Sequence, residues 1–256
     1  MASSGGVQSV ERVLDLLEAM ADAGGATGLS DLAATSGLPL PTIHRLVRTL
    51  VDRGYVRQES SRRYTLGPRL IRLGETASRM VGMQATPHLT RLVDLLGESA
   101  NLALLEDSGQ VVYVAQVPGR HSMRMFTEVG RRVSAHCTAV GKAILGQLPP
   151  STVHDLLSRI ELSAYTPATI TNPATLLAEF DRVRDLGYAI DEGEQEVGVR
   201  CVAVSVQGGP TPAALSISGP TARMTDELVQ QAVPRLHAAA DALAAEMSQQ
   251  RAAARA

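Results

Sequence analysis

Apolar residues at Val7, Val10, Val13, Leu14, Leu17 and Met20 recur at three- and four-residue steps, which predicts one stripe on a helix. The Gly-rich stretch 23–28 ends that helix. Ser30 is placed to cap a short second helix over 31–35, closed by Gly37. Pro41 suits the first turn of a third helix. There Ile43, Leu46, Val47, Leu50 and Val51 cover one side, while Arg45, Arg48 and Asp52 occupy the other with His44 at its flank. Residues 53–67 form two short strand-like pieces around a polar turn holding Ser60 and Ser61, the pattern of a β-hairpin. Three short helices and a hairpin predict a winged helix-turn-helix.

The pattern then changes. Leu70, Ile71, Leu73, Ala77, Met80 and Val81 predict a linking helix over 68–83. Beyond it, helices are expected at 87–96, 138–146, 151–157 and 173–186, and strands at 100–105, 110–117, 188–191, 200–206 and 213–218. Residues 123–126 are expected to add a further strand. A long Ala-rich helix is expected over 225–247, with a fraying Ala/Arg-rich end. The fold class is therefore α+β. The expected division is a DNA-binding domain at 1–67, a linker helix at 68–84 and an α/β domain at 85–256. No internal repeat interrupts this plan.

Charge adds a function to the first domain. The whole chain of 256 residues carries a net charge of -2, yet residues 31–72 hold eight Arg against three acids. A basic block within a mildly acidic protein marks a polyanion-binding module. Trp is absent and only two Phe and five Tyr occur, so the stacking platforms of single-strand binders are missing and duplex DNA is the expected partner. Hydrophobic residues make up 45% of the chain, enough for packed cores. No apolar run approaches bilayer length and the first residues lack the basic and apolar regions of a secretion signal. The two cysteines, Cys137 and Cys201, form no disulfide framework and no CxxC. A soluble cytoplasmic protein without cofactor, metal or membrane partner is the expectation.

Several segments together resemble the IclR family of transcriptional regulators. In the first half these are Ser9-Val-Glu-Arg12, Gly37-Leu-Pro39, Thr42-Ile-His-Arg-Leu46, Gly54-Tyr-Val56 and Tyr64-Thr-Leu-Gly67. In the second half they are Val129-Gly-Arg-Arg-Val133, His136-Cys-Thr-Ala-Val-Gly-Lys-Ala143, Thr166-Pro-Ala-Thr-Ile170 and Arg182-Val-Arg-Asp-Leu-Gly-Tyr188. Gly198-Val-Arg-Cys201 and Leu215-Ser-Ile-Ser-Gly-Pro220 complete the order. The resemblance implies a winged helix, a linker helix and a GAF-like effector-binding domain. It also implies homodimers, often paired into tetramers, on operator DNA.

On the DNA half, Arg45 and Arg48 are candidates for guanine edges or phosphates, Thr42 for a phosphate near the helix start, and His44 for an assisting contact. Arg62 and Arg63 are candidates for wing contacts to phosphate or a narrow minor groove. The plainer alternative is that some of these arginines pair with Asp52 or Glu59.

On the second half, the helix beginning after Cys137 can offer backbone N–H groups around Ala139 and Val140 to a carboxylate. The resemblance carries pocket roles onto Asp191, Cys201, Ser216 and Ser218. The two serines alternate on one strand, so their hydroxyls share a face. Met123, Met125, Val133 and Val199 are candidates for adaptable apolar walls. Plainer alternatives are a Cys used for packing, serines bonded to backbone, and an Asp191 that caps a turn in the acidic run 191–194. The expected effector is a small polar acid such as glyoxylate or allantoate, which releases a repressor from DNA. An activator answering to an aromatic or sugar acid is the alternative.

Three rival functions remain on the residues. One is a thiol enzyme using Cys201 or Cys137 with His136, His121 or His154 as base. Another is a metal sensor, which lacks three-ligand spacing. The third is an architectural DNA binder, for which the large second domain is excessive. No HExxH, GxSxG or P-loop occurs.

Overall fold

The computed structural model describes residues 6–125, 127–209 and 211–253, without the side chains of 78–81 and 250–253. The chain packs as two compact units, Met1–Ala77 and Ser78–Ala256.

The first unit holds α1 (Gln8–Asp22), α2 (Leu29–Ser36), α3 (Leu40–Asp52) and the antiparallel hairpin β1 (Val56–Gln58) and β2 (Tyr64–Leu66). Leu16, Met20, Leu32, Ile43, Val47, Leu50, Val56 and Tyr64 form its core. The core stripe of α1 differs from the expectation. Leu16 and Met20 are buried, whereas Val7, Val10 and Leu14 are 65%, 53% and 54% exposed. The apolar positions of α1 therefore serve two faces, only one of which is satisfied within the unit. Ser30 is not the cap of α2: Gly28 holds that position and its N–H donates to the Asp31 carboxylate at 3.1 Å. The left-handed Gly37 closes the helix as expected. Gly67 is required where the wing returns to α3. A Cβ there would stand 2.4 Å from the Gly54 carbonyl oxygen.

Helix α4 (Arg69–Gly82) continues the chain from the first unit into the second. The second unit contains α5 (Ala85–Leu96), β3 (Ser99–Leu105), β4 (Gln110–Val117), β5 (Arg132–Ser134) and a 3-10 turn at Ala135–Cys137. There follow α6 (Ala139–Leu145), α7 (Pro150–Leu157), α8 (Pro173–Leu186), β6 (Ala189–Glu192), β7 (Val199–Val206), β8 (Ala213–Pro220) and α9 (Asp226–Ala253). The strands form one antiparallel sheet in the order β5-β4-β3-β8-β7-β6. Helices cover both faces, as in a GAF-like domain.

Two-residue alternation sorts the strand side chains. Val202 and Val204 of β7 and Leu215 and Ile217 of β8 pack with α5 and α9. Ala203 and Ala214 face the other way, against Ala143, Ile144, Leu176 and Phe180 of α6 and α8. Cys201, Ser216 and Ser218 share the parity of that second face.

One expectation fails in the connection between β4 and β5. Residues 123–125 are not a strand, and Phe126 lies outside the described residues. The edge strand is instead Arg132–Ser134, whose Val133 pairs with Val111. Its three residues are too few to show a period in the sequence. Helix α9 also runs to Ala253 rather than stopping near 247. The remaining residues of the Ala/Arg-rich end, 254–256, lie outside the described residues.

Candidate functional site

The DNA face follows from how α3 divides its surface. Ile43, Val47 and Leu50 anchor the helix in the core, which leaves His44, Arg45, Arg48 and Thr49 exposed. Thr42 is half-buried in the first turn, where its N–H donates to the Pro39 carbonyl at 2.8 Å. Arg45 and Arg48 form no ion pair with a carboxylate among the described residues, so the pairing alternative does not describe them. In the wing, Arg62 sits exposed at the turn with a left-handed φ of 62°, a conformation that normally favours glycine. Arg63 is partly committed: its guanidinium donates to the Ala26 carbonyl and ties the wing to the connection between α1 and α2. The structure thus holds an exposed recognition-type helix beside a basic hairpin, built on one core.

In the second unit, a cavity of about 50 Å³ is lined by Met125, Val133, Ala139, Val140, Asp191, Val199, Cys201, Ser216 and Ser218. Strand register brings the polar members together. Asp191 of β6 pairs with Cys201 of β7, which pairs with Ser218 of β8, which pairs with Ser99 of β3. Ser216 lies one step along β8 and pairs with Asn101. The buried Asn101 amide donates to Ser216 Oγ at 3.4 Å and to Ser218 Oγ at 3.3 Å. The serines are therefore oriented by a side chain, not by backbone.

Met123 does not join this cavity. It is 75% exposed, and its carbonyl accepts from Arg223 at 3.0 Å. Arg223 is itself held by the buried Glu98 carboxylate. The cavity also contains Tyr113, Thr127, Arg131, Thr138, Gln195 and Glu196, none of which sequence reasoning named. Signals for some of them exist: Arg131 falls within the 129–133 segment, Thr138 within the 136–143 segment, and Gln195 and Glu196 directly follow the acidic run 191–194. Tyr113 carries no such signal, because only strand pairing brings β4 to the cavity.

The helix end at the cavity is built by Thr138, which caps α6 by accepting from the Gly141 N–H at 3.3 Å. Gly141 lets α6 close onto the preceding turn: a Cβ there would stand 2.1 Å from the Ala135 carbonyl oxygen. Ala139 and Val140 thereby line the cavity, as expected, but α6 spans only seven residues.

Electrostatics at the site are set by burial. Asp191 is 3% exposed, and burial raises its pKa to about 7 despite the Glu194 N–H that donates to its Oδ1 at 2.6 Å. Asp191 thus performs both roles weighed for it, capping the 191–194 turn and lining the cavity. Burial also pushes the Cys201 and Cys137 thiols up to about 12. Both are protonated at neutral pH and lack the thiolate that nucleophilic attack needs. Burial lowers the pKa of His136, whose Nε2 donates to the Ser163 carbonyl at 3.1 Å. It is a neutral structural histidine. No group of three metal-ligating side chains occurs among the described residues. No helix among the described residues is long and apolar enough to cross a membrane.

A basic winged helix followed by a sheet domain with a small polar cavity defines a ligand-responsive transcriptional regulator, not an enzyme. Comparison with known proteins agrees. Residues 9–60 match the IclR helix-turn-helix domain, and residues 76–245 match the bacterial transcriptional regulator IclR C-terminal domain. The chain belongs to the IclR family. It is 36% identical over 235 residues to the transcriptional repressor IclR of Escherichia coli K12, covering 90% of this chain and 86% of that protein. It is 34% identical over 228 residues to the HTH-type transcriptional regulator BhcR of Paracoccus denitrificans, covering 87% and 81%. A crystal structure of an IclR transcriptional regulator from Alicyclobacillus acidocaldarius superposes with a TM-score of 0.85 at 29% identity, covering 94% and 99%.

Proposed function

We propose that the chain is a cytoplasmic repressor that binds operator duplex DNA as a homodimer, paired into a tetramer, and is released by a small organic acid. The carrying observation is the convergence of Asp191, Cys201, Ser216 and Ser218 with Ala139 and Val140 on one cavity. In that cavity Asp191, when protonated, and both serines can donate hydrogen bonds to a carboxylate, while Met125, Val133 and Val199 supply apolar walls. The polar lining by Asp191, Ser216 and Ser218 suits a small polar acid such as glyoxylate or allantoate better than an aromatic one. The E. coli relative is named a repressor, which supports repression over activation.

On the DNA side, Thr42, His44, Arg45 and Arg48 enter the major groove, and Arg62 with the free donors of Arg63 contacts the backbone beside it. Dimerisation is supported by the unsatisfied apolar stripe of α1 and by Ile71 and Leu73 of α4, 64% and 54% exposed. Functionally the chain divides as 1–67 for DNA, 68–84 as coupler and 85–256 for effector. An acid regulates by preferring one arrangement of the paired subunits, which α4 transmits as a change in spacing of the recognition helices.

The test is a mobility-shift assay on the protein's own upstream DNA, with and without glyoxylate, pyruvate and allantoate. The expected result is salt-dependent, sequence-specific binding that one acid reverses. Calorimetry on Cys201→Ala and Ser218→Ala then checks the cavity, where unchanged affinity in both removes the assignment.

A further inference from the structure

The segment Thr166-Pro-Ala-Thr-Ile170 contributes no residue to the cavity lining, yet the hydroxyls of its two threonines each make several hydrogen bonds. The backbone N–H groups of Tyr165 and Thr166 donate to Thr169 Oγ1 at 3.1 and 2.9 Å. The Ala168 N–H donates to Thr166 Oγ1 at 3.1 Å. Both hydroxyls turn their protons onto the connection between β6 and β7. Thr166 donates to the Gly193 carbonyl at 2.7 Å, with the Glu194 carbonyl at 3.2 Å. Thr169 donates to the same Glu194 carbonyl at 2.6 Å.

Glu194 is consequently held at three places. Its N–H is bonded to Asp191, its carbonyl to the threonines, and its carboxylate to the ammonium of Lys142, a residue 1% exposed. Gln195 and Glu196, which follow it, line the cavity. Gln195 Oε1 also accepts from the Cys137 thiol at 3.0 Å. Every residue that this connection gives to the cavity therefore flanks the carbonyls that the threonines hold.

We infer that Thr166 and Thr169 are positioning residues of the effector site, clamping the 193–194 carbonyls so that Asp191, Gln195 and Glu196 keep their places in the cavity wall. The inference rests on the reading of the cavity as the effector site. The clamp acts through the hydroxyls, since Oγ1 of each threonine carries its hydrogen bonds to the connection. Valine keeps the shape and removes the donor; serine keeps the donor and removes the methyl.

The experiment is hydrogen exchange on the full-length protein carrying Thr166→Val, Thr169→Val, Thr166→Ser or Thr169→Ser, followed by calorimetry of the same proteins with glyoxylate, pyruvate and allantoate. Loss of one neutral hydrogen bond raises local opening by about tenfold. The valine variants are expected to exchange about tenfold faster over 192–198, and the serine variants to stay within about twofold of the parent. The acid that binds the parent is expected to bind the valine variants about tenfold more weakly and the serine variants normally. Unchanged exchange over 192–198, exchange that rises equally throughout β7 and β8, or acid affinity unaffected by valine overturns the inference. A parent that binds none of the acids overturns the reading of the cavity instead, and the exchange data still decide whether the clamp exists.

Discussion

Replacing Asp191 by Asn probes the cavity through its least expected property. The carboxyl is buried, and its pKa is raised from 3.8 to about 7. A raised carboxyl pKa means the folded state binds the proton more tightly than the unfolded chain. The group therefore favours folding most below pH 3.8, and that advantage is lost as pH rises through 7. Three pKa units correspond to about 4 kcal/mol of destabilisation at high pH. Between pH 5 and pH 8 the change is roughly 2 to 3 kcal/mol, because ionisation in the unfolded chain is already complete at pH 5. Asparagine has no charge to bury and keeps an oxygen for the Glu194 N–H that now donates at 2.6 Å. Urea unfolding of parent and Asp191→Asn at several pH values isolates the effect, since other titrating groups largely cancel in the difference. The variant is expected to gain roughly 2 to 3 kcal/mol on the parent between pH 5 and 8. A difference that stays constant across that range refutes the reasoning, whatever its absolute size. An anionic effector should follow the same sign, binding the parent less tightly as pH passes 7.

Three further outcomes follow from particular contacts. The double variant Arg45→Glu with Arg48→Glu reverses two exposed charges on α3 and should abolish operator binding while leaving the circular dichroism spectrum unchanged. Lys142→Met removes the cation between Glu194 and Glu179, whose side chains are 7% and 13% exposed. Stranding a buried carboxylate this way should cost about 3–5 kcal/mol in chemical denaturation. Val10→Glu with Leu14→Glu places charge on the exposed stripe of α1, so light scattering should show a shift toward monomer with the winged-helix core intact.

The division of α3 into an apolar and a basic side was legible because both sides repeat at helical spacing. Leu16 was not, since it falls outside the stripe that Val7, Val10 and Leu14 continue. Those three positions are apolar yet exposed, and a pattern of residue types does not reveal which of two faces a core will take. Local chemistry misled at Ser30, where the helix begins one residue before it and Gly28 holds the cap. The strand at Arg132–Ser134 was illegible for its shortness.

Sequence alone determined most of the elements and the charge they carry, because those depend largely on neighbours a few residues apart. It also named nine cavity residues, through segments that resemble a family. What the tertiary structure decided was proximity: Asp191, Cys201 and Ser218 stand in one row because three strands pair in register. Tyr113 joins them from a strand about eighty residues earlier in the chain, and Met123 stays outside. The raised pKa of Asp191 has the same origin, since water is excluded only when all these elements close around it.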